Sequence, residues 1–378
     1  MAGNSWRIDR FDGLEGLLAL EADWRRLVDQ MPERAWHHSF ESHVWFLQHS
    51  AMPGRAFTCL ALRAGSELQA ICPLTLRPKA VLGIKRWVWQ LPWDGNVLFR
   101  DVICPPGEAR QVLISQMVNH LVRERQPAPW LVLGRTPAGS AVWSCLESLP
   151  RRQYVADLDA VANFLDASLP LEEHAARRSK NFRGNLRKAR NKLAQLPSVR
   201  FDTVQDSVGL ARELEVLLDL EAAGWKGSEP GGSAIRLRSS EVAYYRKLVR
   251  EMEGVEINTL STNGRCIAAQ LCVRAGSEYA MLKICYDEEY ARVAPGQMLF
   301  EHTLERCVRD AGVRRINLMT NYDWHRDWGA EGIPIYDIYL PLRPWLAPLR
   351  LALLRTRWRL GEGLRRLRRV QEPDGARS

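Results

Sequence analysis

Three stretches in the second half of the chain carry residue types able to do chemistry. The first is Leu220 to Ile235, LEAAGWKGSEPGGSAI. Glu221 closes a helical pattern and can accept a proton, Lys226 can bind an anion, and Trp225 can wall a pocket. The glycines that follow suit a mobile loop over a ligand. A plain helix hairpin with a capping Gly reads equally well. The second stretch is a strand-like run, YAMLKICY (Tyr279 to Tyr286), and the turn that follows it, YARVAPGQML (Tyr290 to Leu299). The start of a helix leaves about four N–H groups unpaired and carries partial positive charge. Gly296 would let backbone approach a phosphate, and Pro295 gives up an N–H that a first turn does not need. Ala294, Gln297 and Met298 complete this candidate anion site. Its competitor is an ordinary strand–helix connection. The third stretch is Asn317 to Gly329, NLMTNYDWHRDWG. Tyr322, Asp323, His325 and Asp327 can all carry protons. Asn321 and Trp324 stand beside them as candidate substrate contacts at the end of a strand, where open α/β sheets place ligands. An aromatic turn packed on the core is the alternative.

Several chemistries are excluded or disfavoured. His37, His38 and His43 cluster without a carboxylate or Cys set at ligand spacing, so no metal is expected. There is no G-x-G-x-x-G and no Walker lysine. No Ser has triad partners that can be placed, which argues against an acyl-enzyme. The eight Cys form no C-x-x-C pair and read as reduced, buried thiols of a cytoplasmic protein. The opening MAGNSWRIDRFDGLEG lacks the apolar core of a signal peptide. No apolar run is long enough to span a bilayer.

Charge is concentrated. The net charge is +9. Residues 177–192 (RRSKNFRGNLRKARNK) hold eight basic groups and no acid, and residues 343–369 hold nine Arg and one Glu. The remainder is acidic, which does not suit a general nucleic-acid binder. Residues 177–192 form an amphipathic pattern with Phe182, Leu186, Ala189 and Leu193 on one face. The tail interleaves Leu and Trp with Arg, as an interfacial segment on anionic lipid would. A disordered or partner-bound tail fits nearly as well.

These stretches need a scaffold, and the periodicity supplies one. Residues 11–30 have helical spacing, and Ser42 can cap a second helix. An apolar hairpin turns at Gly65-Ser66. RWVWQLP and VLFRDVICPP then read as strands, followed by a helix (EARQVLISQMVNHLVRER) and the strand PWLVLG. The second half repeats the order: strand, two helices, a hairpin turning at Asn263-Gly264, the strand YAMLKICY, a helix, and the strand RRINLMT. The expected class is mixed α/β with one unit copied twice.

The order of the basic helix, LEAAGWKG…GGSAI, IAAQL, KICYDEEYARVAPGQML and INLMTNYDWHRDWGAE resembles the CelD/BcsL-type acetyltransferases of the GNAT superfamily. These are tandem-GNAT proteins related to the FemABX peptidyltransferases. The resemblance covers roughly residues 175–340. It implies two GNAT-like domains, 1–160 and 161–340, with 341–378 as an Arg-rich tail. It also implies transfer from acetyl-CoA or another acyl-CoA to an amine or sugar hydroxyl in envelope or exopolysaccharide synthesis. Pantetheine would run beside YAMLKICY, and the diphosphate would sit on residues 294–298. The turn is poorer in Gly than the usual GNAT turn, and Thr320 and His325 stand where the family often has Gly and Lys.

In a ternary complex, the amides of Lys283, Ile284 and Cys285 would hold the oxyanion. Glu221 or Asp323 would be the base, and Tyr286 or Tyr322 the acid. Two other readings remain: a FemABX-like enzyme fed by aminoacyl-tRNA, and a non-catalytic scaffold of a polysaccharide-synthesis machine.

Overall fold

A computed structural model describes residues 5–50, 54–81, 83–124, 128–224, 227 and 232–343. Trp225, Lys226 and residues 344–378 lie outside the described residues. The strands are β1 (Trp6–Asp12), β2 (Ala56–Ala64), β3 (Glu67–Val81), β4 (Ile84–Gln90), β5 (Trp130–Pro137) and β6 (Val155–Asp166). The second half adds β7 (Arg200–Val204), β8 (Val255–Thr262), β9 (Arg265–Ala275), β10 (Glu278–Tyr286), β11 (Arg315–Asn317) and β12 (Glu331–Pro341). All lie in one mixed sheet of order β1-β2-β3-β4-β5-β12-β6-β11-β10-β9-β8-β7.

The helices are α1 (Gly13–Leu18), α2 (Glu21–Asp29), α3 (Phe40–His49), α4 (Glu108–Arg123), α5 (Ala141–Leu146) and α6 (Leu171–Arg177). They continue with α7 (Lys180–Leu193), α8 (Ser207–Ala223), α9 (Ser239–Glu251), α10 (Pro295–Arg309) and α11 (Asp323–Asp327).

Local chemistry sets the hairpins. The β8–β9 turn places Asn263 and Gly264 at φ 48° and 74°, the left-handed pair that a two-residue hairpin requires. The β2–β3 turn holds Gly65 at φ 60°. Three elements differ from the periodicity. Residues 11–30 give the end of β1 and two short helices rather than one. Ser39, not Ser42, caps α3, its Oγ accepting from the Ser42 amide at 3.3 Å. VLFRDVICPP is irregular rather than a strand: it meets the sheet at the Ile71–Ile103 bridge and through the Arg100 amide, which donates to the Arg135 carbonyl at 3.3 Å.

The centre of the sheet is built by exchange. β6 closes the first half in sequence, yet it pairs with β11 of the second. β12, the last strand, pairs with β5 of the first half on one side and β6 on the other. The second-half sheet is covered on both faces. Leu214, Leu218, Tyr245 and Leu248 of α8 and α9 pack on Ile257, Leu271 and Val273. Leu186, Ala189, Leu299, Phe300 and Leu304 of α7 and α10 pack on Ile267, Cys272 and Tyr279. The first half joins the former layer through Trp45, whose indole N–H donates to Glu251 at 2.9 Å and whose ring meets Tyr244 edge-on at 5.8 Å.

Candidate active site

β10 pairs with β11 in parallel only from Glu278 to Ala280. Beyond Ala280 the two strands part, while β10 continues to Tyr286 along β9 with a bulge between Met281 and Lys283. One edge of β10 therefore faces a cleft. The Asp287 amide donates to the Ile267 carbonyl at 2.9 Å, so Asp287 points towards β9. Alternation along the strand turns Cys285 and Lys283 the same way and aims the amides of Ile284 and Tyr286 into the cleft. Of the three amides expected to hold an oxyanion, only that of Ile284 is placed to do so.

The connection after β10 is longer than the sequence suggests. A 3₁₀ segment, Glu288–Val293, separates the strand from α10. Ala294 then caps α10 in the left-handed conformation, φ 48° and ψ 55°, and Pro295 is its first residue. The Met298 amide donates to the Ala294 carbonyl at 3.0 Å, and the Met298 side chain is buried in the core. Its amide is not available to an anion. The amides of Gly296 and Gln297 have no protein acceptor among the described residues. The Gln297 side chain is fixed by the Trp328 indole N–H at 2.5 Å.

A cavity of about 480 Å³ lies in this cleft, lined by Ile284, Cys285, Tyr286, Ala294, Pro295, Gly296 and Gln297. Glu221, Tyr322 and Trp324 close its other side. Glu221 is buried, and its Oε2 accepts from the Ile235 amide at 3.0 Å. Burial places the Cys285 thiol against the Leu217 carbonyl at 3.6 Å. Tyr286 and Tyr322 keep their rings half in solvent, 43 % and 57 % exposed.

A second cavity of about 130 Å³ shares Ile284, Tyr322 and Trp324 with the first. It adds Lys283, Tyr245 and His325, and from the first half Gly95, Asn96 and Leu98. The Lys283 ammonium lies 5.3 Å from the centre of the Tyr245 ring. Burial lowers its pKa below the usual lysine value, with Glu221 and Glu241 partly opposing the shift. Burial also lowers the His325 imidazole to about 4, against the opposing bond to the Thr320 carbonyl.

The remaining sequence candidates fall elsewhere. Asp323 lines neither cavity; its side chain is 98 % exposed and pairs loosely with Arg326 at 3.7 Å. Asn321 is exposed and accepts from the Asn163 amide group at 3.0 Å. Trp225 and Lys226 lie outside the described residues. Sequence reading missed the contribution of Gly95, Asn96 and Leu98. Their signal was present in PWDGN, where Asp94 Oδ1 accepts from the amides of Asn96 at 2.9 Å and Val97 at 3.1 Å, an Asx turn. Among the described residues no group of His, Cys, Asp and Glu could hold a metal ion.

This splayed pair of parallel strands, with a helix opening at the cleft, sits in a fold shared with solved structures. The structure titled FemX aligns at a TM-score of 0.56 with 10 % identity, covering 87 % of this chain and 98 % of that one. A conserved protein of unknown function from Bacteroides thetaiotaomicron VPI-5482 aligns at 0.53 with 12 % identity, covering 85 % and 97 %. L-PGS from Bacillus licheniformis aligns at 0.50 with 11 % identity, covering 88 % and 96 %. The chain thus has a FemX-like mixed α/β fold. Residues 180–327, which hold the cleft, match the family described as acetyltransferase (GNAT) domain. Over that segment, less than half of the chain, the protein is similar to an acetyltransferase domain. A comparison with curated proteins finds no match.

Proposed function

We propose that the protein transfers an acyl group, in the first instance acetyl, from acyl-CoA to an amine or sugar hydroxyl of an envelope or exopolysaccharide precursor. The observation that carries this reading is the cleft. It runs from the free edge of β10 to the amides of Gly296 and Gln297, which have no protein acceptor among the described residues. Pantetheine would lie along Ile284 to Tyr286, and the diphosphate would take the two amides at the start of α10. The Ile284 amide would polarise the thioester carbonyl. The second cavity would admit the acceptor from the side of Gly95 and Asn96.

Glu221 is the better of the two bases considered, because it lines the donor cavity and Asp323 does not. Attack of the acceptor nitrogen or oxygen on the thioester carbonyl forms the new acyl bond and expels CoA thiolate. The acceptor's proton passes to Glu221, and Tyr286 or Tyr322 supplies one to the thiolate. Lys226 and Trp225 remain part of the acceptor-side proposal.

We propose two GNAT-like units, 1–160 and 161–340, that interlock and do not separate cleanly, since β6 (Val155–Asp166) spans the boundary, with 341–378 as a tail that contacts anionic lipid from the cytoplasm. Titration of acetyl-CoA into the protein by calorimetry tests the reading. Absence of heat at millimolar donor would sink it. Aminoacyl-tRNA is the second donor considered, favoured by the FemX-like fold alone, and binding of charged tRNA with no response to acetyl-CoA would select it.

A further inference from the structure

One end of the sheet gathers features that the cleft does not use. β12 runs antiparallel to β5, with Pro341 beside Trp130. β4 runs parallel to β5, with Trp89 beside Leu131. The early residues of β4 therefore project past the start of β5, at the end of the sheet where β12 finishes. Here the β4 side of the β3–β4 hairpin turns to solvent from Ile84 to Trp87. Ile84 and Trp87 are 54 % and 42 % exposed, and Lys85 and Arg86 between them are exposed too. The Arg55 guanidinium lies 5.8 Å from the Trp87 ring centre. β6 begins at the same end, with Val155 beside Tyr339. The exposed Arg151 and Arg152 just before it lie there as well. The hairpin is held to this end along its β3 side: Val81, paired with Ile84, is buried in one cluster with Val88, Trp130 and Tyr339, and Lys79 pairs with Asp337 at 2.6 Å. β12 ends here at Pro341, and the sequence over residues 343–369 carries nine Arg and one Glu interleaved with Leu and Trp.

We infer that this end of the sheet docks on an anionic lipid surface, with the β3–β4 hairpin as a preformed contact. The chemistry of the tip selects that partner. An Ile and a Trp on either side of Lys85 and Arg86 match an interface where rings sit at headgroup level and cations meet phosphates. A nucleic-acid surface would engage the cations but leave Ile84 without apolar company. Weak membrane anchors generally need two signals for stable attachment; at the hairpin an apolar pair and a basic pair are combined in four successive exposed residues. The inference does not rest on the acyl-transfer reading.

The test is co-sedimentation of the full chain with phosphatidylcholine vesicles, with and without phosphatidylglycerol, at low and high salt. The protein should pellet with the anionic vesicles and less so at high salt. Lys85→Ala combined with Arg86→Ala should weaken partitioning about 30-fold, at roughly 1 kcal/mol per basic residue near the surface. Trp87→Ala should weaken it several-fold on its own. The exchange Lys85→Arg with Arg86→Lys keeps the charge and should restore binding, which separates docking from damage to the hairpin. Equal partitioning of the full chain and the double alanine variant would overturn the inference. So would equal binding to neutral vesicles, or a double variant that loses retention on duplex DNA or RNA while still pelleting with anionic lipid.

Discussion

Replacing Gly296 by Asp separates the two roles that the start of α10 can play. Gly296 is the second residue of α10, and a Cβ there would meet Tyr286 Cδ1 at 3.4 Å, an ordinary contact. The side chain is accommodated without moving the backbone, and the contact with Tyr286 puts it on the cleft side. A carboxylate at this point improves the free helix: an acid in the first turn is worth about 0.3–1 kcal/mol, and loss of a helical Gly adds roughly 0.5 kcal/mol. The same carboxylate lies about 6 Å from a diphosphate held on the amides. One carboxylate facing the two negative charges of a diphosphate at that distance costs roughly 1.5–3 kcal/mol at an effective dielectric of about 40–80. That is about 10- to 100-fold in the Kd for acetyl-CoA. Calorimetry at low salt should show this loss while thermal unfolding shows unchanged or higher stability. Gly296→Asn, of the same size without the charge, should lose far less affinity. If Gly296→Asp binds within about twofold of the parent protein, the diphosphate does not sit on these amides.

Glu221→Gln keeps an oxygen able to accept from the Ile235 amide, bonded at 3.0 Å in the parent, so the fold should persist. Its kcat should fall by about 10²–10⁴ if Glu221 is the base, whereas Asp323→Asn should leave turnover unchanged. Ala294→Gly relieves a left-handed alanine at φ 48° and should raise stability by about 1 kcal/mol in chemical denaturation. His325, lowered to about 4 by burial, titrates near 6.5 once unfolded. Between those values the unfolded chain binds the extra proton, so stability is complete above pH 6.5 and declines as pH falls towards 4. The loss should approach about 3 kcal/mol. Buried His37 and His43, also lowered, act in the same direction. His325→Gln should flatten part of this dependence in urea titrations at successive pH values.

Much of the donor side could be read from sequence because it is local. A strand, a Pro-Gly helix start and the helix end at Glu221 are contiguous patterns, and ten of the residues singled out line the cavity of about 480 Å³. What failed was orientation. Residue type does not say which amides of β10 face β9, so Lys283 and Cys285 were grouped with Ile284. Spacing does not show that a helix has already used the Met298 amide, or that Asp323 points to solvent. The acceptor side was hidden because Gly95 and Asn96 lie in the other half of the chain, and only tertiary packing brings them to Lys283. β6 and β12 escaped notice for a different reason. Pro334, Pro341 and Asp337 interrupt β12, and Asp157 and Asp159 interrupt the apolar pattern of β6, although both strands lie inside the sheet.

The exchanged strands make the two halves one topological object. A cut between β6 and α6 leaves an amino-terminal fragment whose last strand has lost β11 and β12. The carboxy-terminal fragment then holds a final strand without β5. Each piece exposes the unpaired edge that the other completes, so neither is a free-standing unit, and each is prone to aggregate alone. The two pieces expressed together should find one another and restore the sheet. The joint between the halves is thus a clasp closed by β12, which is synthesised after both strands it joins. The cleft that needs Gly95 and Asn96 from one half and Lys283 from the other takes its final form only when that strand is in place.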